Sequence, residues 1–482
     1  MPGGILSNQT SSTAGVASSS KEKLVPPGIL TKPDNQPLRD LAKDGNFYSF
    51  VKAMSAEFGD VVSLSPALTV ISTSQMIKDM LRNTVDFKKA DSISTFKILV
   101  GEGLFTAEGK IYDQQERVVK SAFGKKYFGE FRRIIEEEMT KYIDEQCAAS
   151  KEKKSAIDIG ATSVDLTMSI AARSFFGVGG ETELARKFRK NLVYAQDWFA
   201  QMQAAEFAEP MLDYIEAQFI RFPFLKDWQK TIFRRLSGSG EMVKAISGWK
   251  AYVQENDVKA RGLAKEMRDV CAKIIDMRRH DAHSADRNDV LSNLLRFQKE
   301  PGNEWLTDEL IIDQVATFFV ARHETTSDLF VVLLWKHARG ETPKAVIDEL
   351  RNTPSMIDEE QFLYLKYPAT NDYITQVLLE HPPIVFTVRQ AQKDVEIGGY
   401  SFPEGRRFIL AITSAQDVDV NFGFGRRQCI GRVFALEEAV IGLQHLVRHD
   451  LKLDRPEQGL EVTQGLTIGY SRGATPILAK SV

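Results

Sequence analysis

The sequence predicts a mainly α protein with small β-sheets. From Phe123 to about Val290 the apolar spacing is mostly helical, and strand-like runs elsewhere are few and short. The 482 residues, 43% hydrophobic and 26% charged, are enough for a large core. Met1 to about Leu24 is rich in Ser, Thr, Gly and Ala and reads as a disordered tail (1–24) ahead of one folded domain (25–482). It has no apolar run of the length a signal peptide or membrane anchor needs. Val25-Pro26-Pro27-Gly28 is a rigid entry to the fold. Val61–Leu64 and Leu68–Ile71 form a hairpin around Pro66. Ser237-Gly238-Ser239-Gly240 marks a helix break, and the charged stretch from Glu241 to about Asp286 is a set of solvated helix faces. Thr307-Asp308-Glu309 opens a long helix, since Thr caps and acids suit the first turn. Val395–Ile397 and Arg407–Ile412 are short strands. A helix begins at about Gly431, with Val433, Leu436, Val440, Leu443 and Val447 on one face.

The segment just before that last helix carries the chemistry. Phe422 to Gly431 reads F-x-x-G-x-R-x-C-x-G: Phe422, Gly425, Arg427, Cys429 and Gly431 at fixed spacing. Glycines let backbone approach a flat ligand, a guanidinium suits a carboxylate, and a lone cysteine suits a metal. The partial positive charge of the following helix N-terminus favours a thiolate at Cys429. A sole thiolate ligand on a haem iron pushes electron density toward oxygen–oxygen cleavage. A dinucleotide fingerprint would need glycine at Gln428, and a zinc site would need Cys or His neighbours that Cys429 lacks. The net charge of -3 and the absence of a basic tract exclude a nucleic-acid binder. Three cysteines, Cys147, Cys271 and Cys429, do not make a disulfide framework and point to a reducing compartment, the cytoplasm.

This segment resembles the cysteine-ligand loop of the cytochrome P-450 superfamily of haem-thiolate monooxygenases, and the resemblance runs from about Pro26 to Lys480. It implies the cytochrome P-450 fold and haem b (iron protoporphyrin IX), with Cys429 on the iron. Arg389 and Arg427 would hold propionates, and Tyr112 would donate a hydrogen bond to one. Ala321 to Thr325 is similar to the family's [AG]-G-x-[DE]-T segment, which makes Glu324 and Thr325 the relay that moves protons to oxygen. Leu99 aligns with a position over the haem in soluble fatty-acid hydroxylases, the subfamily nearest in character.

Four departures from the family pattern accompany it. Arg322 stands where relatives have glycine; a guanidinium there either crowds the oxygen site or swings into helix packing, and crowding with impaired oxygen activation is the expectation. Gln376 and Leu379 occupy the Glu and Arg of the E-x-x-R pair, and Glu380 is ~100° out of phase and no substitute. The long loop before the cysteine segment is reduced to Ala415–Asn421. Glu116 sits where a propionate-binding Arg is expected, with Arg117 as its compensation. Together these imply a damaged supporting framework around an intact ligand loop.

The implied function is a monooxygenase that places one atom of O2 into an apolar small molecule such as a fatty acid. The chain ends too soon after Cys429 for a flavin domain, so electrons would come from a separate NADPH-dependent flavoprotein reductase or a ferredoxin. The alternatives are a degenerate, non-catalytic haem-binding relative, and a haem-thiolate isomerase or peroxygenase.

Overall fold

The computed structural model describes residues 26–27, 47–90, 96–154, 156–180, 182–220, 239–283, 287–352, 361–453, 459–460, 463–464, 468–469 and 477–479. The expected tail lies outside these residues, as do positions 237 and 238 of the expected helix break.

The chain enters through α1 (Phe47–Phe58) and a hairpin, β1 (Val61–Ser65) and β2 (Leu68–Ile71), in which Val62 faces Val70. Every residue of β2 is buried, because strands flank it on both sides. Its second neighbour is the parallel strand β7 (Arg407–Leu410). The sheet then runs through β4 (Thr387–Ala391) to β3 (Phe87–Lys89), both antiparallel, giving the order β1-β2-β7-β4-β3. That register sets Lys89 opposite Arg389. The hairpin of β5 (Val395–Ile397) and β6 (Tyr400–Phe402) stands apart.

Helices make up most of the rest. They are α2 (Ser74–Arg82), α3 (Lys97–Val100), α4 (Gly109–Ala122), α5 (Phe128–Met139), α6 (Glu145–Lys153), α7 (Ile159–Phe176) and the long α8 (Glu183–Ile220). α9 (Ser239–His280) opens inside the expected break and carries the charged stretch. α10 (Val290–Gln298), α11 (Asp308–His323), α12 (Thr325–Ala338), α13 (Lys344–Asn352), α14 (Leu363–Lys366) and α15 (Pro368–Glu380) follow. Two short turns, α16 (Ile412–Ala415) and α17 (Val418–Asn421), lead to α18 (Arg432–Leu446). None of the described helices is long and apolar enough to cross a membrane.

α11 starts as expected: the Thr307 hydroxyl accepts the Leu310 N–H at 3.3 Å, with Asp308 and Glu309 in the first turn. Its residues from Ile311 to Phe319 are almost all buried, as befits a helix apolar around most of its circumference. α18 departs from the one-sided pattern its apolar spacing suggests. Glu437, Glu438, Gln444 and His445 are buried along with its apolar residues. Each has a partner from elsewhere in the fold. Arg132 of α5 gives its Nε to Glu437 at 2.5 Å, and Tyr367 Oη accepts from Gln444 at 2.9 Å.

His445 belongs to a cluster built on a π-helical turn, Thr140–Asp144, between α5 and α6. Asp144 meets His445 Nδ1 at 2.8 Å and His449 Nε2 at 2.8 Å, while Glu136 lies 3.2 Å from His445 Nε2. Arg448 is near both carboxylates, 3.8 Å from Glu136 and 3.6 Å from Asp144. Burial opposes charge on His445, but the Asp144 and Glu136 carboxylates outweigh it and hold the imidazole above its ordinary 6.5. Burial also works against the Asp144 carboxylate, yet the two imidazoles hold it well below its ordinary 3.8. The signs are opposite. The His445 contribution is full below 6.5 and is lost as pH rises through the higher folded value. The Asp144 contribution is present above 3.8 and is lost as pH falls through the lower folded value. The stabilisation this cluster gives is therefore greatest between those ordinary values and declines on the alkaline side. Melting temperatures of the protein and of His445→Gln across that range should differ most near pH ~5 and converge as pH rises; a gap that widens toward alkaline pH would refute the assignment.

Candidate functional site

The ligand loop runs from the end of α17 to the start of α18. Gly423 and Gly425 adopt φ of +70° and +72°, a region that favours glycine. A Cβ on Gly425 would also lie 3.1 Å from Cα of Arg82. Gly431 differs: its φ is -84°, and its role is to bring its N–H to the sulfur. The loop closes on itself where the Cys429 N–H donates to the Phe422 carbonyl at 2.7 Å.

Cys429 is accessible, in contrast to buried Cys147 and Cys271. Enough protein surrounds it that desolvation pushes its thiol above the ordinary value. The N–H groups of Gly431 and Arg432 pull the other way, as a helix N-terminus should. Desolvation outweighs them; a cation bound at the sulfur would deprotonate such a thiol outright.

Beside the loop the fold gathers cations. Arg389 is buried on β4, donating to Val388 O at 2.8 Å and Thr387 Oγ1 at 3.2 Å. Burial, and then the Arg427 guanidinium, pull Arg389 down to about 10. Lys89 is the next member: burial, then Arg427, hold its ammonium well below the usual lysine range. Its Nζ donates to the Phe105 carbonyl. Arg427 stacks 3.9 Å from the centre of the Tyr112 ring. It donates to Ala107 O at 2.9 Å and to Glu108 Oε2 at 2.6 Å. Glu108 is the acid that acts on Lys89 and Arg389, so three cations face one carboxylate. Arg389 and Arg427, with the Lys89 amine beside them, suit a ligand with two carboxylates. The accessible Cys429 thiol, the glycine backbone and this cation set fit haem; Cys429 could hold the iron and Arg389, Arg427 and Lys89 the propionates.

Lys89 escaped the sequence reading, because its position depends on the β3–β4 register. Tyr112 is placed differently from expectation. Its hydroxyl donates to Arg426 O at 3.0 Å, so it braces the ligand loop, and burial followed by the Glu116 charge pushes it up to about 12. Glu116 faces the loop rather than the cation cluster. It meets Arg426 at 3.1 Å and Lys120 at 2.7 Å, and Arg117 is exposed. Glu116 is thereby engaged in ion pairs with Arg426 and Lys120, and Arg117 lies in solvent rather than compensating for it.

On the oxygen side, α11 and α12 are separated by a break at buried Glu324. Thr325 Oγ1 donates to Ala321 O at 2.9 Å, and Ser327 Oγ to His323 O at 2.6 Å. Ala321 is exposed within this otherwise buried stretch. Arg322 corrects the expectation of crowding. Its guanidinium turns into the core, pairs with Glu438 of α18, and donates through Nε to Thr167 O at 3.3 Å. It lies 4.3 Å from the centre of the Phe434 ring. Burial pulls it down to about 9, so it remains charged near neutral pH. The physical reason is that a partnered, aromatic-stacked position costs far less than an unpaired buried charge. Leu99 is buried in the main core.

The framework is rebuilt rather than merely damaged. Glu380 accepts from Gln376 at 2.9 Å and pairs with Lys336 of α12 at 2.8 Å, so α15 has an ionic tie, though not to the ligand loop. The short connection holds α15 itself, since Asn421 Nδ2 donates to Leu378 O at 2.7 Å. Asp417 caps α17 by accepting the Asp419 N–H at 3.0 Å.

Known proteins are similar to this chain in sequence and fold. A family model described as Cytochrome P450 matches residues 26–419, ending within the short connection ahead of the cysteine segment. Cyclooctat-9-en-7-ol 5-monooxygenase of Streptomyces melanosporofaciens is 23% identical, over 80% of this chain and 80% of its own length. A self-sufficient cytochrome P450 monooxygenase of Penicillium freii is 25% identical over 92% of this chain, which spans only 42% of that relative. A bifunctional cytochrome P450/NADPH–P450 reductase of Alternaria alternata is 26% identical over 42% of this chain and 21% of its own. Among solved structures, a cytochrome P450DA heme domain superposes with a TM-score of 0.72 at 20% identity, covering 95% of this chain and 98% of that one.

Proposed function

The chain belongs to the cytochrome P450 family, and from that premise we propose that it is a haem-thiolate monooxygenase acting on an apolar substrate such as a fatty acid. The observation that carries this reading is the accessible Cys429 sulfur, facing two backbone N–H groups, beside the Lys89, Arg389 and Arg427 cluster. When bound, haem b supplies the activation of O2, with one oxygen atom entering a C–H bond and the other leaving as water at the expense of two electrons and two protons. Cys429 would hold the iron. Arg389, Arg427 and Lys89 would fix the propionates, with Glu108 leaving the Arg427 fork to admit one. Glu324 would deliver protons through the Thr325 hydroxyl, which must turn from the Ala321 carbonyl to do so. The electron donor is a separate NADPH-dependent flavoprotein reductase or a ferredoxin, and the compartment is the cytoplasm. The unpaired cysteines support that placement, and the reductase-fused relatives support a flavoprotein source.

The test is the absorption of the reduced protein with carbon monoxide, followed by turnover of long-chain fatty acids. A thiolate-type band is expected, with hydroxylated product formed when NADPH and a reductase are supplied. Product with peroxide but none with NADPH and reductase would favour a peroxygenase. A thiolate band with no product under either condition would favour a non-catalytic relative.

A further inference from the structure

The ligand loop is held from outside by a ladder of charges. Lys78 of α2 lies 2.5 Å from Asp417 and 3.9 Å from Asp419 Oδ2. Arg432, the first residue of α18, takes the other oxygen of Asp419 at 2.9 Å. Ser74 adds a hydrogen bond to Asp417 at 2.5 Å. Rings extend the ladder: Lys78 and Arg82 lie 5.1 and 4.8 Å from the centre of Phe424, and Arg432 lies 5.4 Å from that of Phe422. The ladder thus ends on the residue whose own backbone N–H donates to the Cys429 carbonyl at 3.4 Å, beside the sulfur on which it also acts.

We infer that Lys78, Asp417, Asp419 and Arg432 position the thiolate, by fixing the Gly431 and Arg432 N–H groups on Cys429 and so setting how strongly the sulfur donates to iron. The inference rests on the reading of Cys429 as the iron ligand. The four are positioning residues; their side chains act through the backbone of the loop. Hydrogen bonds to a ligating sulfur withdraw electron density and tune potential, and outer-shell partners of this kind strongly affect metal retention. The side chains are 19% to 42% exposed, so one pair alone would do little. Their effect comes from connection: α2, the short connection and α18 are joined through two carboxylates, where the long loop of relatives is missing.

The test uses the haem-loaded protein, Asp419→Arg, and the swap Asp419→Arg/Arg432→Asp. Haem transfer to apomyoglobin, iron potential and the iron–sulfur stretching frequency are read, with circular dichroism as a check on folding. Asp419→Arg sets a cation against Lys78 and Arg432. It should lose haem ~10-fold faster, with a more negative potential and a shifted stretching frequency, and the swap should restore more than half of each change. Raised salt should move the unaltered protein in the same direction, because exposed charges are screened. Unchanged potential and frequency in Asp419→Arg, or no recovery in the swap, overturns the inference. If Asp419→Arg does not fold, Lys78→Met decides: it leaves the Asp419–Arg432 contact and should shift potential in the same direction by less, and no shift overturns the inference. Absence of thiolate-type absorption in the unaltered protein would instead overturn the ligand assignment and the ladder's role with it.

Discussion

Cys429→Ser should abolish thiolate-type haem absorption while leaving the fold intact. The side chain is accessible, so its loss opens no core cavity. A serine hydroxyl could still accept from the Gly431 and Arg432 N–H groups. The other two cysteines cannot take over. Cys147 and Cys271 are buried, and burial pushes the Cys147 thiol up to about 12 and the Cys271 thiol higher. The measurement is the reduced carbon monoxide spectrum together with the thermal melt of the apoprotein. An unchanged spectrum would show that Cys429 is not the ligand. A melt lowered by more than a few degrees would show that the thiol has a structural role beyond the one described.

Arg322→Gly should be strongly destabilising. The sequence alone suggests the opposite, since glycine is the family's residue there and should free the oxygen site. In the fold the guanidinium neutralises Glu438, which has no exposure. Removing one partner of such a pair costs about 3–5 kcal/mol, mainly from the charge left unpaired. Replacing both partners with apolar residues of similar volume is often near neutral, so Arg322→Met/Glu438→Leu should recover most of the loss. Urea midpoints of the three proteins decide this, with coupled product formation measured beside them. A single variant within ~1 kcal/mol of the parent, or one that turns over faster, would return Arg322 to the oxygen site.

The sequence revealed what is local. The Thr307 cap, the hairpin around Pro66, the start of α18 and the spacing of the ligand loop each depend on residues a few positions apart. The positions it misread depend on distant partners. Glu116 and Arg426 stand 310 residues apart, and Arg322 and Glu438 116 apart. Nothing near Arg322 in the chain announces a carboxylate on α18, so crowding is the natural expectation. Likewise, α18 reads as amphipathic because its polar residues resemble a solvent face, and the positions of Arg132, Arg322, Tyr367 and Asp144 make that face buryable. Gln and Leu at 376 and 379 cannot pair ionically, which is legible locally, but the short connection's own contacts, Asn421 to Leu378 O and Lys78 to Asp417, could not be seen without the fold.

The hydrogen bond from Ser74 to Asp417 joins residues 343 positions apart. Its topology has a consequence for assembly. Closing so long a loop is entropically costly, and contacts of this kind form only after shorter-range helical packing has drawn the ends together. The anchor on α2 precedes the cysteine by more than three hundred residues, so it emerges well before it, with the helical core between them. The cysteine loop is therefore completed by the meeting of two segments far apart in the chain, and neither alone contains a finished cradle.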